Sequence, residues 1–232
     1  MKRVVIFPPF TSRLTVPETV LCLLALPMHI WVLPRLLTGF VLSGQLTEST
    51  GNFLVYSIGA VYMMIVLGRF FRRDYDMLCD RFLFCLHEVI VGYGFYFCCN
   101  MIIGPLLYTL VGDPAGNPNT AAVADLAQIN RGQITAMSVI LAPILEEGIF
   151  RAGIFGFVHR YNRTAAYLAS MLIFAAYHVW SFAVQDPKYW LYLIQYLPIS
   201  YMICRGYERS SSIWTPVLLH ALVNGISLSV LL

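Results

Sequence analysis

The sequence predicts an all-α membrane protein: a polytopic transmembrane helix bundle of about seven spans with a cytoplasmic N-terminus. Of its 232 residues, 59% are hydrophobic and only 12% are charged, whereas a typical soluble domain has about 25% charged residues. Two further observations support this fold class, namely a series of long apolar segments and an uneven placement of basic residues between them. No long basic run is present, so we expect the lipid bilayer, and no nucleic acid, as a partner.

Seven apolar segments are candidates for crossing the membrane, since a helical span needs about 20 apolar residues. In chain order they cover residues 16–40, 52–71, 82–111, 132–158, 165–184, 189–204 and 213–232. We expect a kink in the first segment at Pro27 and Pro34, and a tilt or break in the third near Pro105. The whole chain, 1–232, is predicted to form one membrane domain, with N-terminal spans in 1–130 and motif-bearing core spans in 132–232.

The basic residues predict the orientation of the bundle. Eleven lysines and arginines precede the first segment or lie in alternate loops, and only Arg131 and Lys188 lie on the other side. Basic loops stay in the cytoplasm, so the N-terminus is expected to be a retained cytoplasmic tail, not a signal peptide. Residues 112–119 are predicted to be an external turn. They are followed by a surface helix over 120–130, which Asn119 would cap.

Three ionisable residues lie near the middle of the fourth segment: Glu146, Glu147 and Arg151. A charge at the bilayer centre costs at least about 2.5–3.5 kcal/mol on insertion scales, so it needs a partner or a wet cavity. Glu147 and Arg151 are four residues apart and can pair on one helical face. Glu146 is turned away and has no partner in its own helix. These residues either hold helices together or form part of a site.

Two later segments each carry a polar pair with helical spacing. Phe174 and His178 are four residues apart in the fifth segment, as are His220 and Asn224 in the seventh. Each residue alone is more typical of packing between helices, but their joint occurrence favours one polar cavity. Other ionisable residues in the spans are weaker candidates, expected to pack, snorkel or anchor at an interface: His29, Arg35, His87 and Glu88.

Such a cavity suits the activation of water. A carboxylate and a neutral histidine, Glu146 and His178, can hold a water molecule and take its proton. His220 and Asn224 offer donors for an oxyanion. The alternative is a zinc site in which Glu146, His178 and His220 are the ligands and one position stays open. No H-E-x-x-H pattern is present, so we expect no cofactor and keep zinc as the alternative.

The order of these motifs resembles the CPBP family, the CAAX protease and bacteriocin-processing group, also called Abi. The motifs are E-E-x-x-x-R (Glu146 to Arg151), F-x-x-x-H (Phe174 to His178) and H-x-x-x-N (His220 to Asn224). The resemblance covers roughly residues 141–232. It implies a glutamate-dependent intramembrane endopeptidase in which Glu146 and His178 activate water. It also implies that His220 and Asn224 form the oxyanion site, and that Glu147 and Arg151 support this arrangement.

Three functions remain open from the sequence. The first is an endopeptidase in a bacterial cell membrane that cuts a peptide or a membrane-anchored protein. The second is a non-catalytic relative that binds a partner and confers bacteriocin self-immunity or regulates signalling. The third is a small transporter or channel that uses the polar cavity. Short loops between the second and third motifs suggest little room for a substrate vestibule, and we expect cytoplasmic or lateral entry. The oligomeric state is not indicated.

Overall fold

The computed structural model describes residues 9–112 and 116–231, except for the side chain of Leu231. All regular secondary structure in these ranges is helical, and they contain no strand, which confirms the all-α prediction. Lys2 and Arg3, part of the predicted cytoplasmic tail, lie outside the described residues. So do residues 113–115 of the predicted external turn and Leu232 at the end of the seventh predicted span.

The helices follow one another with short connections, and a 3₁₀ turn, Pro187–Tyr192, precedes the eighth helix. In chain order they are α1 (Val16–Leu42), α2 (Glu48–Val66), α3 (Gly68–Asp80), α4 (Phe82–Val111), α5 (Pro118–Ile129), α6 (131–158), α7 (Arg163–Ala183), α8 (Leu193–Ser210) and α9 (Trp214–Leu231). Each of the seven predicted apolar segments therefore lies on a helix.

Four of these helices, α1, α2, α4 and α7, are long and apolar enough to cross a membrane, and α9 contains a shorter apolar helix. Their outer faces are rich in exposed large hydrophobic residues, as expected of a surface in contact with lipid. The remaining two predicted spans correspond to α6 and α8. The total of seven crossings and the cytoplasmic N-terminus stay predictions, because the helices are assessed by length and composition alone.

The helices differ from the sequence predictions at three places. The first span is interrupted by a π-helical turn, Met28–Val32, close to the two prolines. The break expected near Pro105 is wrong, because α4 continues through it, and the Thr109 hydroxyl donates to the Pro105 carbonyl at 2.9 Å. Asn117, not Asn119, caps α5, since its side chain accepts from the backbone N–H groups of Asn119 and Thr120. Pro105 lacks an N–H, but α4 retains its other hydrogen bonds around it.

Helix α6 lies at the centre of the bundle. Its inner residues belong to the main apolar cluster, together with α1, α2 and α7. A Cβ atom on Gly59 of α2 would lie 2.7 Å from Leu145 Cδ2, so only glycine permits this approach. Two π-helical segments, Met137–Leu141 and Gly148–Phe155, flank the α-helical turn that carries the two glutamates. Such wide turns occur often at functional sites.

The predicted second span was expected to reach residue 71, but its helix ends at Val66, and the amphipathic α3 follows. Asp74 of α3 joins three distant parts of the chain at the end of the bundle opposite to α5. The Asp74 carboxylate accepts a hydrogen bond from the Ile213 N–H at 2.9 Å and another from the Ser12 hydroxyl. Burial raises the pKa of Asp74, whereas Ser12, the Ile213 N–H and Arg73 act to lower it. Asp74 therefore fixes the start of α9.

Replacing Asp74 should destabilise the fold. We expect Asp74→Ala to lower the free energy of unfolding by about 1–3 kcal/mol, because it leaves the buried Ile213 N–H without an acceptor. Thermal unfolding in detergent measures the change. Asp76→Ala is the matched control, since Asp76 is an exposed aspartate on the same helix. Equal melting temperatures for the two variants would contradict the assigned role of Asp74.

Candidate functional site

Three helices bring the predicted polar residues together. Glu146 on α6 is only 3% exposed. Its Oε2 atom lies 3.5 Å from Nε2 of His178 on α7 and 3.8 Å from Nε2 of His220 on α9. Both histidines are therefore within the roughly 3–6 Å that a shared water requires when no substrate is bound. The sequence alone predicted this grouping, although the residues are up to 74 positions apart.

Glu147 and Arg151 form the predicted ion pair, and both are fully buried. Arg151 Nε lies 3.2 Å from Glu147 Oε2, and Arg151 Nη2 donates to the Ser200 hydroxyl of α8 at 2.8 Å. The guanidinium also lies over the Phe174 ring, 4.2 Å from its centroid. The second carboxylate oxygen of Glu147 lies 2.7 Å from Nδ1 of His220. The Glu147 carboxylate thus connects Arg151 of its own helix with His220 of α9.

The partners of the two histidines fix which ring nitrogen carries hydrogen. Nδ1 of His178 lies 2.9 Å from the Phe174 carbonyl, which can only accept, so Nδ1 is the donor. His220 Nδ1 faces the Glu147 carboxylate in the same way. In the neutral rings, both Nε2 atoms are then acceptors. They converge on Oε2 of Glu146, to which no described protein group donates. Three acceptors around one point require a species that donates hydrogen or carries positive charge.

The imidazole ring of His178 is held by aromatic neighbours. The Phe174 ring centroid lies 4.4 Å from that of His178, and the Tyr196 ring stacks on the other side with centroids 4.6 Å apart. Because Phe174 contacts His178 through both its ring and its carbonyl, this phenylalanine positions the histidine. The F-x-x-x-H spacing therefore has a physical reason beyond the sharing of a helical face.

Asn224 and His220 make contacts that the sequence did not predict. We expected the two to act as a donor pair, with Glu147 and Arg151 as the supporting ion pair. The structure instead attaches His220 to Glu147, and the Asn224 amide donates to the Ser138 carbonyl at 2.8 Å. The side-chain amide has a second N–H, and Asn224 lines the same cavity as Glu146. Helical spacing alone could not show that His220 contacts the ion pair.

Sequence reasoning missed a chain of polar contacts behind Glu146. His29 of α1 is buried, and its Nε2 atom lies 2.8 Å from the Tyr177 hydroxyl. Tyr177 in turn contacts the Tyr56 hydroxyl of α2 at 3.1 Å, and Tyr56 interacts with the Glu146 carboxylate. His29 was only a weak candidate from the sequence. The signal available in the sequence was the cost of an ionisable residue within an apolar span.

Glu88 lies outside the polar group around Glu146 and connects two helices. It was expected to anchor at the membrane interface with its neighbour His87. The Glu88 carboxylate is instead buried and contacts two arginines of α8, Arg205 at 2.5 Å and Arg209 at 2.9 Å. Glu88 therefore joins α4 to α8, and its position at the membrane interface stays a prediction. His87 and Arg35 are exposed.

A cavity of about 750 Å³ extends from the polar cluster to the connection between α1 and α2 and to α5. About half of its lining residues come from the part of the chain before residue 130, where the sequence showed only generic spans. The expectation of little vestibule is therefore wrong, because α1, α2 and α5 contribute to it. No described residue of the basic loops lines this cavity. The lining reaches the predicted outer end of the bundle, opposite to the cytoplasmic side expected for entry.

A metal centre was the alternative drawn from Glu146, His178 and His220. Within residues 9–112 and 116–231, no three His, Cys, Asp or Glu side chains are grouped in a way that could hold a metal ion. The measured pairs, at 3.5 and 3.8 Å, leave room for a bridging water molecule. The expectation of no metal stays a prediction.

Two comparisons with known proteins give a match to part of the chain. Residues 132–226 match the family described as type II CAAX prenyl endopeptidase Rce1-like. A relative from Bacillus subtilis (strain 168), named "Putative membrane peptidase YdiL", is 32% identical over 124 residues, which are 53% of this chain and 47% of that protein. The matched part thus spans about half the length of this curated relative. No solved structure matches the chain.

Removing only the cation of the buried ion pair should destabilise the protein more than removing both of its charges. We expect Arg151→Met to lower the free energy of unfolding by about 3–5 kcal/mol, because it leaves the Glu147 carboxylate buried without its cation. The double variant Glu147→Gln/Arg151→Met should recover part of this loss. Melting temperatures in detergent measure both. If the double variant is as unstable as the sum of the single ones, the two side chains are not coupled.

Proposed function

From the match of residues 132–226 to the family described as type II CAAX prenyl endopeptidase Rce1-like, we propose that the protein is an intramembrane endopeptidase. The observation that supports the proposal most is the convergence of Glu146, His178 and His220 inside a buried cavity. Its substrate is a peptide or a membrane-anchored protein. We place the enzyme in a bacterial cell membrane, which it crosses several times.

Glu146 is the general base in this proposal. A water molecule held between Glu146 Oε2 and His178 Nε2 gives a proton to the carboxylate, and its oxygen attacks the carbonyl carbon of the scissile bond. The carbonyl electron pair moves to its oxygen and forms a tetrahedral oxyanion. When that intermediate collapses, the C–N bond breaks, and protonated Glu146 returns the proton to the departing amine. The products are a new carboxylate and a new amine.

The oxyanion needs donors that are already in place. The second N–H of the Asn224 amide is one, since only the first is used by the Ser138 carbonyl. His220 supplies the other from its Nε2 atom when both ring nitrogens carry hydrogen, with the Nδ1–H held by the Glu147 carboxylate on the opposite side of the ring. In this role Glu147 and Arg151 act through His220, and do not contact the substrate.

The low water content of the bundle strengthens these interactions. Glu146, Glu147 and His220 are all buried, so the charges that develop during hydrolysis lie in a medium of low polarity. We propose that no metal ion takes part, because the two histidines and the glutamate can position water by themselves. Zinc is the alternative to be tested in the same assay.

Removing the base or its partner should abolish most cleavage. With quenched fluorescent peptides in detergent, we expect Glu146→Gln and His178→Gln each to lower kcat by about 10²–10⁴-fold, the usual contribution of general acid–base catalysis. His87→Gln is the matched control, because His87 is an exposed histidine away from the cavity. A strong chelator should leave activity unchanged; loss of activity that returns with zinc would favour the metal alternative.

Several outcomes would overturn the assignment. If the glutamine variants cleave as fast as the unmodified protein, Glu146 and His178 are not catalytic. If no peptide is cleaved, while a membrane partner is bound equally by the unmodified protein and by Glu146→Gln, the non-catalytic role in immunity or regulation is favoured.

Tyr177 should influence the reaction through Glu146. We expect Tyr177→Phe to lower kcat by about 3–30-fold with little change in KM, because it interrupts the hydroxyl contacts between His29 and Tyr56 without removing the ring. Steady-state kinetics on the same peptides separates the two constants. Tyr161→Phe serves as the control, since Tyr161 is exposed in a loop. Unchanged kcat in Tyr177→Phe would contradict the positioning role.

A further inference from the structure

The charge of the cavity restricts what it can bind. Of the described residues, no lysine or arginine lines it, and its only charged side chains are the carboxylates of Glu48 and Glu146. Glu48 lies at the start of α2 and is exposed, whereas Glu146 lies at the buried end. A ligand that passes from the mouth to the reacting atoms therefore meets negative charge at both ends of its path.

The helix starts at the mouth are capped by their own side chains. Two helices, α2 and α5, begin beside the cavity, and a free helix N-terminus attracts negative charge. Thr47 already caps α2 by accepting from the Thr50 N–H at 3.1 Å. Asn117 caps α5 by accepting from the N–H groups of Asn119 and Thr120 at 3.0 and 3.3 Å. The N–H groups at the start of α5 are therefore occupied by the protein itself, and at the start of α2 one is occupied and the Glu48 carboxylate lies beside the others.

The walls between these two ends suit an apolar chain with a polar backbone. Aliphatic side chains line them on three helices: Leu37 and Val41 of α1, Val55 of α2, and Val123 and Leu126 of α5. The amides of Asn52 and Gln195 supply polar groups at separate points along the walls. Such a surface can contact apolar side chains and leave hydrogen-bonding partners for the peptide groups between them.

A carboxylate placed in this cavity would be buried without a cation. Such burial is unfavourable by several kcal/mol, and the Glu48 and Glu146 charges add repulsion. An amine or a guanidinium at the mouth would meet the Glu48 carboxylate instead. The charge pattern therefore discriminates between substrates that share an apolar sequence but differ in the charge of their ends.

We propose that the cavity takes an internal, apolar peptide segment without negative charge, with a cationic residue next to Glu48, and that it rejects a free C-terminal carboxylate close to the scissile bond. This inference rests on the proposed function. It assigns the substrate to extended segments that continue on both sides of the bond that is cut. The segment reaches the site from the end of the bundle formed by the α1–α2 connection and α5.

Four matched quenched peptides test this specificity. All share one apolar core; two end three residues after the cleaved bond, as a free acid or as an amide, and two are longer and carry Lys or Glu at the end facing the mouth. We expect kcat/KM to fall at least about tenfold from amide to acid, and by a similar factor from Lys to Glu. Glu48→Gln should reduce the Lys preference, and Glu48→Lys should reverse it. Glu18→Gln, at a half-buried glutamate outside the cavity, should change neither ratio.

Binding separates this inference from the proposed function. The same peptides can be titrated into His178→Gln, which keeps both carboxylates of the cavity, and followed by fluorescence anisotropy. We expect the amide and Lys peptides to bind at least about tenfold more tightly than their partners. Equal binding of acid and amide, or no binding of any of the four, would overturn the inference. Selective binding without cleavage by the unmodified protein would keep the inference and contradict the endopeptidase assignment.

Discussion

The buried ion pair between Glu147 and Arg151 is the interaction on which the rest of the site depends. A guanidinium with no exposed surface is tolerated inside an apolar bundle only when its charge is met directly. The Glu147 carboxylate lies 3.2 Å from Arg151 Nε, and the Ser200 hydroxyl accepts a hydrogen bond from Arg151 Nη2 at 2.8 Å. Since the same carboxylate also holds His220, the neutralisation of one charge fixes α6, α8 and α9 relative to one another.

This arrangement divides the work between two adjacent carboxylates. Glu147 has its oxygens directed at Arg151 and His220, so it is held in place and shielded from a substrate. Glu146 projects from the other side of α6 towards His178, and its Oε2 atom has no donor among the described protein groups. The carboxylate with many contacts therefore organises the site, and the one with few contacts is able to exchange a proton. Gly59 supports this orientation because it lets α2 pack against Leu145, immediately before Glu146.

Much of this was predictable from the sequence. The seven apolar segments, the Glu147–Arg151 pair and the meeting of Glu146 with His178 and His220 follow from local spacing and from the cost of charge in a membrane. The vestibule did not, because its walls are ordinary aliphatic residues such as Val55 and Leu126, which no motif distinguishes. Other contacts between distant segments could not be predicted from local spacing either. Asp74 with Ile213, and Glu88 with the arginines of α8, depend on how the helices are arranged in space.

The central claim is that the protein holds both histidines through their Nδ1 atoms, so that the Nε2 atom of His178 accepts a hydrogen bond at the point faced by Glu146. ¹⁵N nuclear magnetic resonance of histidine-labelled protein measures this directly, and substitution of each of the five histidines assigns the signals. The account predicts a protonated Nδ1 and an unprotonated Nε2 for His178, and a protonated Nδ1 for His220. A proton on Nε2 of His178, with its Nδ1 bare, would contradict the account.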